Sequence, residues 1–462
     1  MSVQEYDVLV IGGGTGGLVA ATRCAHYGLK TALVERDRLG GECLWTGCVP
    51  TKAMLYSAEV RSLMQRADQY GLTPCVQPVD WARVVRAKDE VVARIAEHDS
   101  PEAIQRAGVA VIKGNARFIS PHQVDIEGRA FHAKHVVVAT GSRQSDPKHI
   151  QGLKEAGYIT HVEAVSLQNL PASIAIIGGG PVGVEFGQMF ARLGAQVTLL
   201  ERSELILSKE DPEISAYLEG LLEREGIAIK HHCAEKQVSR KGRKKLLKAQ
   251  VDGKPAELEV DEVMLAIGRT PNLEGLGIEA AGIKTGPRGV EVDDQMRTSV
   301  PDIYACGDIT GKYLFTHVAE YQGTIVAHNI AFPNRPRHVD YRVVPWATFT
   351  DPEIAHVGMT EPQARQAGYD IVVDHDSFAG LDRAVTMRKA EGFVKVVADA
   401  SNGEILGAHI IGPGAGNIIH EYVLAMKERV PLPAIADTIH VYPTLSEALK
   451  WAAAEYSGGT NK

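Results

Sequence analysis

Two cysteines, Cys43 and Cys48, are the residues of this sequence whose type and spacing best suit redox chemistry. They lie in a stretch, 40–52, that is rich in glycine and contains a proline. Zinc knuckles usually separate their cysteines by two to four residues and need a second ligand pair, which this chain lacks. If one helix carried both residues, the spacing of five would turn the sulfurs partly apart but leave them within disulfide reach. The pattern predicts a redox-active dithiol and no metal site; the alternative is a loop with two small buried thiols.

Length, charge and cysteine content restrict the class of protein. The chain has 462 residues, a net charge of −8 and six cysteines. This length predicts three or four domains, the negative charge argues against a general nucleic-acid binder, and the cysteines are too few for a secreted disulfide scaffold. The first apolar run, Val8–Ile11, has only four residues and follows acidic side chains, so it resembles neither a signal peptide nor a membrane span. We therefore expect a cytoplasmic protein without a nucleic-acid or membrane partner.

The residues before the dithiol form a nucleotide-binding pattern. A predicted strand at 6–11 leads into Gly12, Gly14 and Gly17, which have the spacing G-x-G-x-x-G, and a second predicted strand ends at Glu35. Glycines at these positions allow a tight turn and let a pyrophosphate approach a helix N-terminus, while the acid can bind ribose hydroxyls. With a strand before it and a helix after it, the motif predicts a dinucleotide-binding domain.

The same unit returns 166 residues later. Gly178, Gly180 and Gly183 repeat the spacing, and Glu201 ends the second strand of the repeat. The sequence therefore predicts two dinucleotide-binding domains. An acid at this place accepts a hydrogen bond from a ribose 2′-hydroxyl and repels a 2′-phosphate, so Glu201 favours NAD. The neighbouring Arg202 could help to bind a phosphate, and NADP is not excluded.

The rest of the chain is predicted from local pattern. The basic stretch Lys236–Lys248 is interpreted as a solvated hairpin of the second nucleotide domain, with a docking site for an acidic partner as the alternative. From about residue 341 the pattern changes to an α+β domain. Its predicted strands are 343–349, 371–373, 393–398 and 405–411 and its predicted helices 417–429 and 446–455; earlier helices are predicted at 51–68 and 80–107.

Taken together, these motifs resemble the pyridine nucleotide–disulfide oxidoreductases, which include lipoamide dehydrogenases, glutathione reductases and mercuric reductases. The resemblance covers essentially the whole chain and includes Ala139-Thr140-Gly141, Gly268-Arg269-x-Pro271-Asn272, Gly307-Asp308, Phe349–Glu353 and Tyr442-Pro443-Thr444. It implies an α/β fold with two Rossmann-like dinucleotide-binding domains and a C-terminal α+β dimerisation domain. The implied boundaries are 1–150 for FAD binding, 151–270 for NAD(P) binding, 271–340 for a central domain completing the FAD site, and 341–462 for dimerisation.

The resemblance also implies the cofactors and the roles of individual residues. FAD would bind at the first fingerprint and NAD at the second. Cys48 would face the flavin, Cys43 would exchange with the substrate, and Lys52 and Glu185 would form a Lys–Glu pair near the flavin and the nicotinamide. Other implied cofactor-binding residues are Arg36, Gly41, Thr140, Gly141, Asp308, His317, Ala319 and Gly268.

The sequence departs from the family pattern near its C-terminus. Relatives that act on disulfides carry a histidine before Pro-Thr and a glutamate five residues after that histidine. Here Tyr442 occupies the histidine position, Glu447 is in place, and His440 lies two residues earlier. A phenol with a pKa near ~10 can donate a hydrogen bond but is a poor base at neutral pH, unlike imidazole with a pKa near ~6.5.

Three functions are therefore predicted as alternatives. The first is an NAD-dependent enzyme most like dihydrolipoamide dehydrogenase, acting on a small-molecule or lipoyl-protein substrate as a homodimer. The second is a reductase of metal ions or quinones, similar to mercuric reductases, which have tyrosine at the position of Tyr442 but also a C-terminal cysteine pair that this chain lacks. The third is a flavoprotein whose redox state controls a binding partner.

Overall fold

The computed structural model describes residues 4–456, and within them the chain forms two units, each assembled from three separated segments. The first unit takes the chain up to residue 53, then 86–146 and 268–340. The second takes 54–85, 147–267 and the chain from 341 onward. Each unit is therefore completed only by segments that lie far apart in the sequence.

A sheet of seven strands forms the core of the first unit. Its central strands are continuous apolar runs, and Val8–Val10 and Val136–Val138 have no exposed surface. Such runs are typical of parallel strands that are covered on both faces. The strands, from one edge, are Val109–Lys113, Thr31–Glu35, Gln4–Ile11, Arg129–Val138, Gln123–Ile126 and Ala116–Ser120, and Ile303–Ala305 also pairs with Arg129–Val138. The last two strands of this order pair antiparallel, whereas the others, including Ile303–Ala305, pair parallel.

Two helices of the first unit, Thr15–His26 and Thr316–Ala331, cross at a glycine in each helix, Gly16 and Gly323. A Cβ atom added to Gly323 would lie 2.5 Å from the carbonyl oxygen of Gly16, so a glycine is needed at this crossing. The contact fixes the start of the helix that follows the first glycine turn. Shorter helices of this unit are Gly41–Trp45, Pro101–Arg106 and Ile278–Ala281, and two longer helices, Cys48–Gln65 and Trp81–Ala96, contain the segment boundaries.

The single helical stretch predicted over 80–107 is in fact two helices. The second one begins at Pro101, and the Ser100 hydroxyl accepts a hydrogen bond from the Ala103 backbone N–H at 3.2 Å. A capping serine followed by proline is a helix start, so the helical stretch is divided before Pro101.

The part of the second unit that contains the second glycine fingerprint has a four-stranded parallel sheet. Ile174–Ile176 and Val263–Leu265 are completely buried in it. The strand order is Ala228–Lys230, Gln196–Leu200, Ser173–Ile177 and Glu262–Leu265, and the helices of this part are Leu153–Ala156, His161–Ala164, Pro181–Leu193 and Pro212–Arg224.

The basic stretch Lys236–Lys248 forms a hairpin, as predicted. Ala234–Lys241 pairs antiparallel with Lys244–Val251, and a third strand, Lys254–Val260, extends the sheet. Acids of the third strand face the cations: Lys241 lies 2.7 Å from Glu259, and Lys248 lies 2.7 Å from Glu257. Part of the positive charge is therefore balanced inside the sheet.

The C-terminal part of the second unit is an antiparallel five-stranded sheet packed against helices. The predicted strands are found, but the sequence analysis missed the strand Glu353–Gly358, which pairs with Ile405–Gly412 in the middle of the sheet. The strand order is Trp346–Thr348, Glu353–Gly358, Ile405–Gly412, Phe393–Asp399 and Ile371–Ser377. The helices are Glu361–Gln366, Asp382–Thr386, Ala415–Ile418, His420–Glu428, Leu432–Ala436 and Glu447–Ala454.

These elements confirm the predicted fold class, a mixed α/β chain with two sheets built around parallel strands and an α+β C-terminal part. Within residues 4–456, no helix combines the length and the apolar character that crossing a bilayer requires.

Candidate functional site

The first and third glycines of the first fingerprint are required by packing. Gly12 has a φ of 108°, and a Cβ atom there would lie 2.4 Å from the Ala139 carbonyl oxygen. A Cβ atom on Gly17 would lie 1.9 Å from the Gly12 carbonyl oxygen. The turn from strand to helix can therefore form only with glycine at both positions.

Gly14, the second glycine of this fingerprint, has a different environment. The nearest atom to an added Cβ is the Cα of Gly41, at 4.0 Å, so protein packing does not require a glycine here. A bare backbone at a helix N-terminus is what a pyrophosphate needs in order to approach closely. Glu35 stabilises the turn by accepting a hydrogen bond from the Gly13 N–H at 2.6 Å. These residues fit FAD, with Gly14 and Gly41 forming the cradle and Arg36 exposed beside it.

The second fingerprint repeats this arrangement in the second unit. Gly178 has a φ of 115°, and added Cβ atoms on Gly178 and Gly183 would lie 2.3 Å and 1.9 Å from carbonyl oxygens. At Gly180 an added Cβ would meet no atom within 4 Å. The two turns therefore share the same division between glycines required by packing and one glycine that leaves room for a ligand.

Glu201 ends the strand next to this second turn. Its carboxylate accepts backbone hydrogen bonds from Gly179 at 2.7 Å and from Arg202 and Ser203 at 2.8 Å each. Burial opposes the charge, but these donors hold the pKa of Glu201 below its ordinary value. A carboxylate fixed in its charged form suits a ribose diol and repels a 2′-phosphate. Arg202 is exposed beside it.

The dithiol lies in the first unit. Cys43 belongs to the short helix Gly41–Trp45, whereas Cys48 begins the helix Cys48–Gln65. Thr46 and Gly47 turn the chain between them, so two helices carry the cysteines and the case of a single helix does not apply. Both N–H groups of this turn donate to the Glu42 carbonyl oxygen, at 2.9 and 2.6 Å.

The turn brings the two sulfurs together. Cys43 makes a hydrogen bond with Cys48, and the Cys48 Sγ lies 3.3 Å from the Thr316 hydroxyl. The hydrogen bond with Cys48, together with burial, raises the pKa of the Cys43 thiol well above its ordinary value. Cys43 therefore retains its proton, and the Thr316 hydroxyl is a hydrogen-bond partner of both sulfurs.

Asp308, predicted as a flavin ligand, is held by Ser142 and Arg269, which were not predicted as site residues. The Ser142 hydroxyl donates to its carboxylate at 2.6 Å, and the Arg269 Nε lies 3.6 Å away. Burial raises the pKa of Asp308 in spite of these two partners. Arg269 also makes a two-point ion pair with Glu42, the residue before Cys43. No local signal points to Glu42, because its partner is 227 residues away.

The other predicted cofactor-binding residues of the first unit lie near Asn272 or on the helix Thr316–Ala331. Thr140 is paired with Asn272, because the Thr140 hydroxyl donates to the Asn272 carbonyl at 3.0 Å and the Asn272 amide donates back at 2.9 Å. Gly141 and Gly268 adopt φ values of 67° and 100°. His317 stacks on Phe315 with ring centres 5.4 Å apart, and the buried Ala319 lies against the crossing glycine, Gly16.

Lys52 and Glu185 belong to two different helices. Lys52 is half-buried in the first turns of the helix Cys48–Gln65. Glu185 is buried in the helix Pro181–Leu193, and its carboxylate accepts a hydrogen bond from the Phe349 N–H at 2.9 Å. The Lys–Glu pairing that the resemblance implies stays a prediction.

The C-terminal residues have partners other than those expected for a His–Glu base. The exposed Tyr442 donates its phenol hydrogen to Asp382 at 2.7 Å, which raises the pKa of Tyr442. Glu447 accepts from the Thr444 N–H at 3.0 Å. His440 lies 3.0 Å from Glu421. The sequence analysis missed Asp382, which is 60 residues from its partner.

The family follows from comparison with known proteins. Residues 6–323 match the pyridine nucleotide-disulphide oxidoreductase family, and residues 344–453 match the dimerisation domain of the same family. The chain belongs to the pyridine nucleotide-disulphide oxidoreductases, which confirms the resemblance.

Individual relatives have different names. A mercuric reductase of Staphylococcus aureus is 36% identical over 459 residues, covering 99% of this chain and 84% of the relative. A dihydrolipoyl dehydrogenase of Chlamydia muridarum is 37% identical over 458 residues, covering 97% of this chain and 96% of the relative. A solved structure, the Cu(II) complex of the HOCl-induced flavoprotein disulfide reductase RclA from Escherichia coli, aligns with a TM-score of 0.87 and 29% identity over 97% of this chain and 99% of that one.

Family membership makes the chain an oxidoreductase and implies the use of FAD and of NAD(P). The identities to the mercuric reductase and to the dihydrolipoyl dehydrogenase differ by one percentage point, so overall similarity favours neither acceptor.

Proposed function

We propose that this protein is an NADH-dependent flavoprotein disulfide reductase in which Cys43 and Cys48 alternate between a disulfide and a dithiol. The observation that carries the proposal is the contact of the two thiols with each other and with Thr316. Bound FAD would supply the two-electron link between the nicotinamide and the cysteines. The first candidate acceptor is a lipoyl-type disulfide, as in dihydrolipoyl dehydrogenases.

The two thiols have different roles in the reduction of such a disulfide. Two electrons and two protons convert the Cys43–Cys48 disulfide into the dithiol. Cys43, as a thiolate, then attacks the substrate disulfide, forming a mixed disulfide and releasing one substrate thiolate. Cys48 attacks the Cys43 sulfur, releases the second substrate thiolate and restores the internal disulfide. Since the pKa of Cys43 is raised, the first attack requires a group that removes its proton.

Tyr442 supports a second candidate acceptor. Its phenol donates to Asp382 and has a raised pKa, so it is a hydrogen-bond donor and a poor base at neutral pH. Thiol–disulfide exchange with a lipoyl substrate needs a base at the attacking thiol in either direction, whereas metal ions and quinones accept electrons without such a base. The Tyr442–Asp382 hydrogen bond therefore favours an acceptor of this second kind over a lipoyl disulfide.

The nicotinamide and the oligomeric state are part of the proposal. Glu201, charged and fixed by three backbone donors, supports NAD rather than NADP. We infer a homodimer formed through the dimerisation domain, which would cover the exposed apolar side chains of Ile439, Val441 and Tyr442. We also infer a cytoplasmic location, where a disulfide is more often catalytic than structural.

The test begins with the flavin-loaded protein reduced anaerobically by one equivalent of NADH. Oxidised lipoamide, a quinone or Hg(II) is then added, and the flavin and thiolate–flavin absorbance is followed. Rapid reoxidation by lipoamide supports the first acceptor, and reoxidation by only the quinone or Hg(II) supports the second. A Cys43→Ser variant that reoxidises as fast as the parent with every acceptor would refute the role of the dithiol.

A Tyr442→His variant separates the two acceptors further. If the missing base limits lipoamide turnover, histidine should raise kcat/KM for dihydrolipoamide by about 10²-fold, the lower end of the usual contribution of a general base. The matched control is Tyr442→Phe, which removes the hydroxyl without adding a base. Equal rates in both variants would contradict the proposed reason for poor lipoamide turnover.

A further inference from the structure

Glu42 is the residue immediately before Cys43, and its carboxylate forms an ion pair with Arg269. Arg269 Nη1 donates to one carboxylate oxygen at 2.6 Å, and Nη2 donates to the other. The side chains of Arg269 and Glu42 are only 23% and 31% exposed, so the pair is poorly screened by solvent. Two-point pairs of this kind fix both the distance and the orientation of the partners.

Arg269 has further partners that hold it in place. Its Nε donates to the Ser142 hydroxyl at 2.7 Å, and Nη2 donates to the Ser142 carbonyl at 3.0 Å. The guanidinium is also 3.6 Å from Asp308. Glu42 therefore attaches the helix that carries Cys43 to a fixed cation on the strand Arg269–Pro271.

The same cation acts on the dithiol. Burial opposes the charge of Arg269, but Glu42, Asp308 and a negative charge on Cys48 together raise its pKa. Interaction between two charges is mutual, so Arg269 stabilises a thiolate at Cys48. Glu42 offsets much of this effect, because its negative charge is paired with Arg269 through both carboxylate oxygens.

We propose that Glu42 is a positioning residue that, through Arg269, sets the equilibrium between the Cys43–Cys48 disulfide and the dithiol. This inference rests on the proposed function, in which the cysteines form that redox pair. With Glu42 charged, the reduced form gains only part of the stabilisation that Arg269 could give. Removing the charge should favour the dithiol and increase the reactivity of its thiolate.

The expected size follows from charge screening. Because solvent partly screens this half-buried charge, Glu42→Gln should shift the equilibrium constant toward the dithiol by about 3- to 10-fold. For a two-electron couple, a 10-fold shift corresponds to about 30 mV.

The experiment uses the flavin-loaded protein in buffers with different ratios of reduced to oxidised dithiothreitol. Thiols are trapped with an alkylating reagent, and the peptides that contain Cys43 and Cys48 are quantified by mass spectrometry, which reads the equilibrium without measuring turnover. The measurement is repeated from pH 6 to 9. Glu42→Asp restores the charge, and Glu274→Gln is the matched control, because Glu274 forms an exposed 2.6 Å ion pair with Arg143 in the same unit.

We expect Glu42→Gln to favour the dithiol, Glu42→Asp to return toward the parent, and Glu274→Gln to behave as the parent. Arg269→Gln should shift the equilibrium in the opposite direction, toward the disulfide, and tests the proposal if Glu42→Gln does not fold. An unchanged equilibrium in Glu42→Gln, or an equal shift in Glu274→Gln, would overturn the role of Glu42. If the parent protein never forms a Cys43–Cys48 disulfide, the proposed function itself fails.

Discussion

Replacing two glycines of the second fingerprint one at a time should separate folding from nucleotide binding. Gly180 has a φ of −75° and a ψ of −178°, an extended conformation that alanine adopts without strain, and an added Cβ meets no atom within 4 Å. At Gly183 an added Cβ would lie 1.9 Å from the Gly178 carbonyl oxygen. The two variants add the same methyl group three residues apart in one turn.

The structure predicts different changes in the free energy of unfolding for these two variants. Gly180→Ala should leave the free energy of unfolding unchanged or raise it by about 0.4–1 kcal/mol, because alanine restricts the unfolded chain. Gly183→Ala forces carbon and oxygen more than 1 Å inside their usual contact distance of about 3.3 Å. The backbone must shift, so the cost should reach or exceed the upper part of the usual range for overpacking, about 1–3 kcal/mol.

Binding of NADH should change in the variant that is still stable. The methyl group of Gly180→Ala would occupy the space through which the backbone approaches the pyrophosphate. A clash of about 1.4–2.8 kcal/mol weakens binding about 10- to 100-fold. Urea unfolding followed by circular dichroism measures the stability, and titration of the oxidised protein with NAD measures the affinity.

Two results would refute this reasoning. Parent-like NAD affinity in Gly180→Ala would mean that the open side of the turn does not receive a pyrophosphate. Parent-like stability in Gly183→Ala would mean that the close contact with Gly178 does not constrain the fold. The equivalent pair in the first unit, Gly14→Ala and Gly17→Ala, should show the same contrast with flavin content as the binding readout.

Three further predictions concern the second unit. Glu201→Gln should reduce the preference for NADH over NADPH about 10-fold in kcat/KM, measured at steady state with both nucleotides. Lys395→Met leaves Asp211, which has no exposed surface, without its cation, and should cost about 3–5 kcal/mol in urea unfolding. Burial and the neighbouring His356 hold the pKa of His409 well below its ordinary value, so the folded protein keeps His409 neutral. Below a pH of about 6.5 the unfolded chain binds this proton and the folded protein does not, so stability present at pH 7 should fall by up to about 1.4 kcal/mol per pH unit. Unfolding of His409→Gln at pH 5 and 7.5 should show a smaller difference than the parent.

The sequence predicts those parts of the molecule that depend on local conformation. The glycine turns could be recognised because a tight turn between a strand and a helix imposes its own spacing, and the structure shows the same packing at Gly12 and Gly178. The pairs Glu42–Arg269 and Tyr442–Asp382 could not be recognised. Each joins residues that only the tertiary fold brings together, and a single acid on a helix or loop has no distinctive pattern.

Local pattern also failed where a short break changes the geometry. The spacing of Cys43 and Cys48 does not show that a turn at Thr46 and Gly47 places the two cysteines on different helices. The strand Glu353–Gly358 was missed because it follows Pro352 directly, and its alternation of apolar residues is short.

The strand Ile303–Ala305 has a consequence for the order in which the protein can fold during synthesis. It pairs with Arg129–Val138, so this edge of Arg129–Val138 stays unpaired until roughly 170 further residues have been synthesised. At about 5–20 residues per second, this takes on the order of ten to thirty seconds. During that time Val136–Val138 presents an apolar strand edge that can pair with another nascent chain. A newly made chain should therefore depend on chaperones most while the nucleotide-binding part of the second unit is being translated.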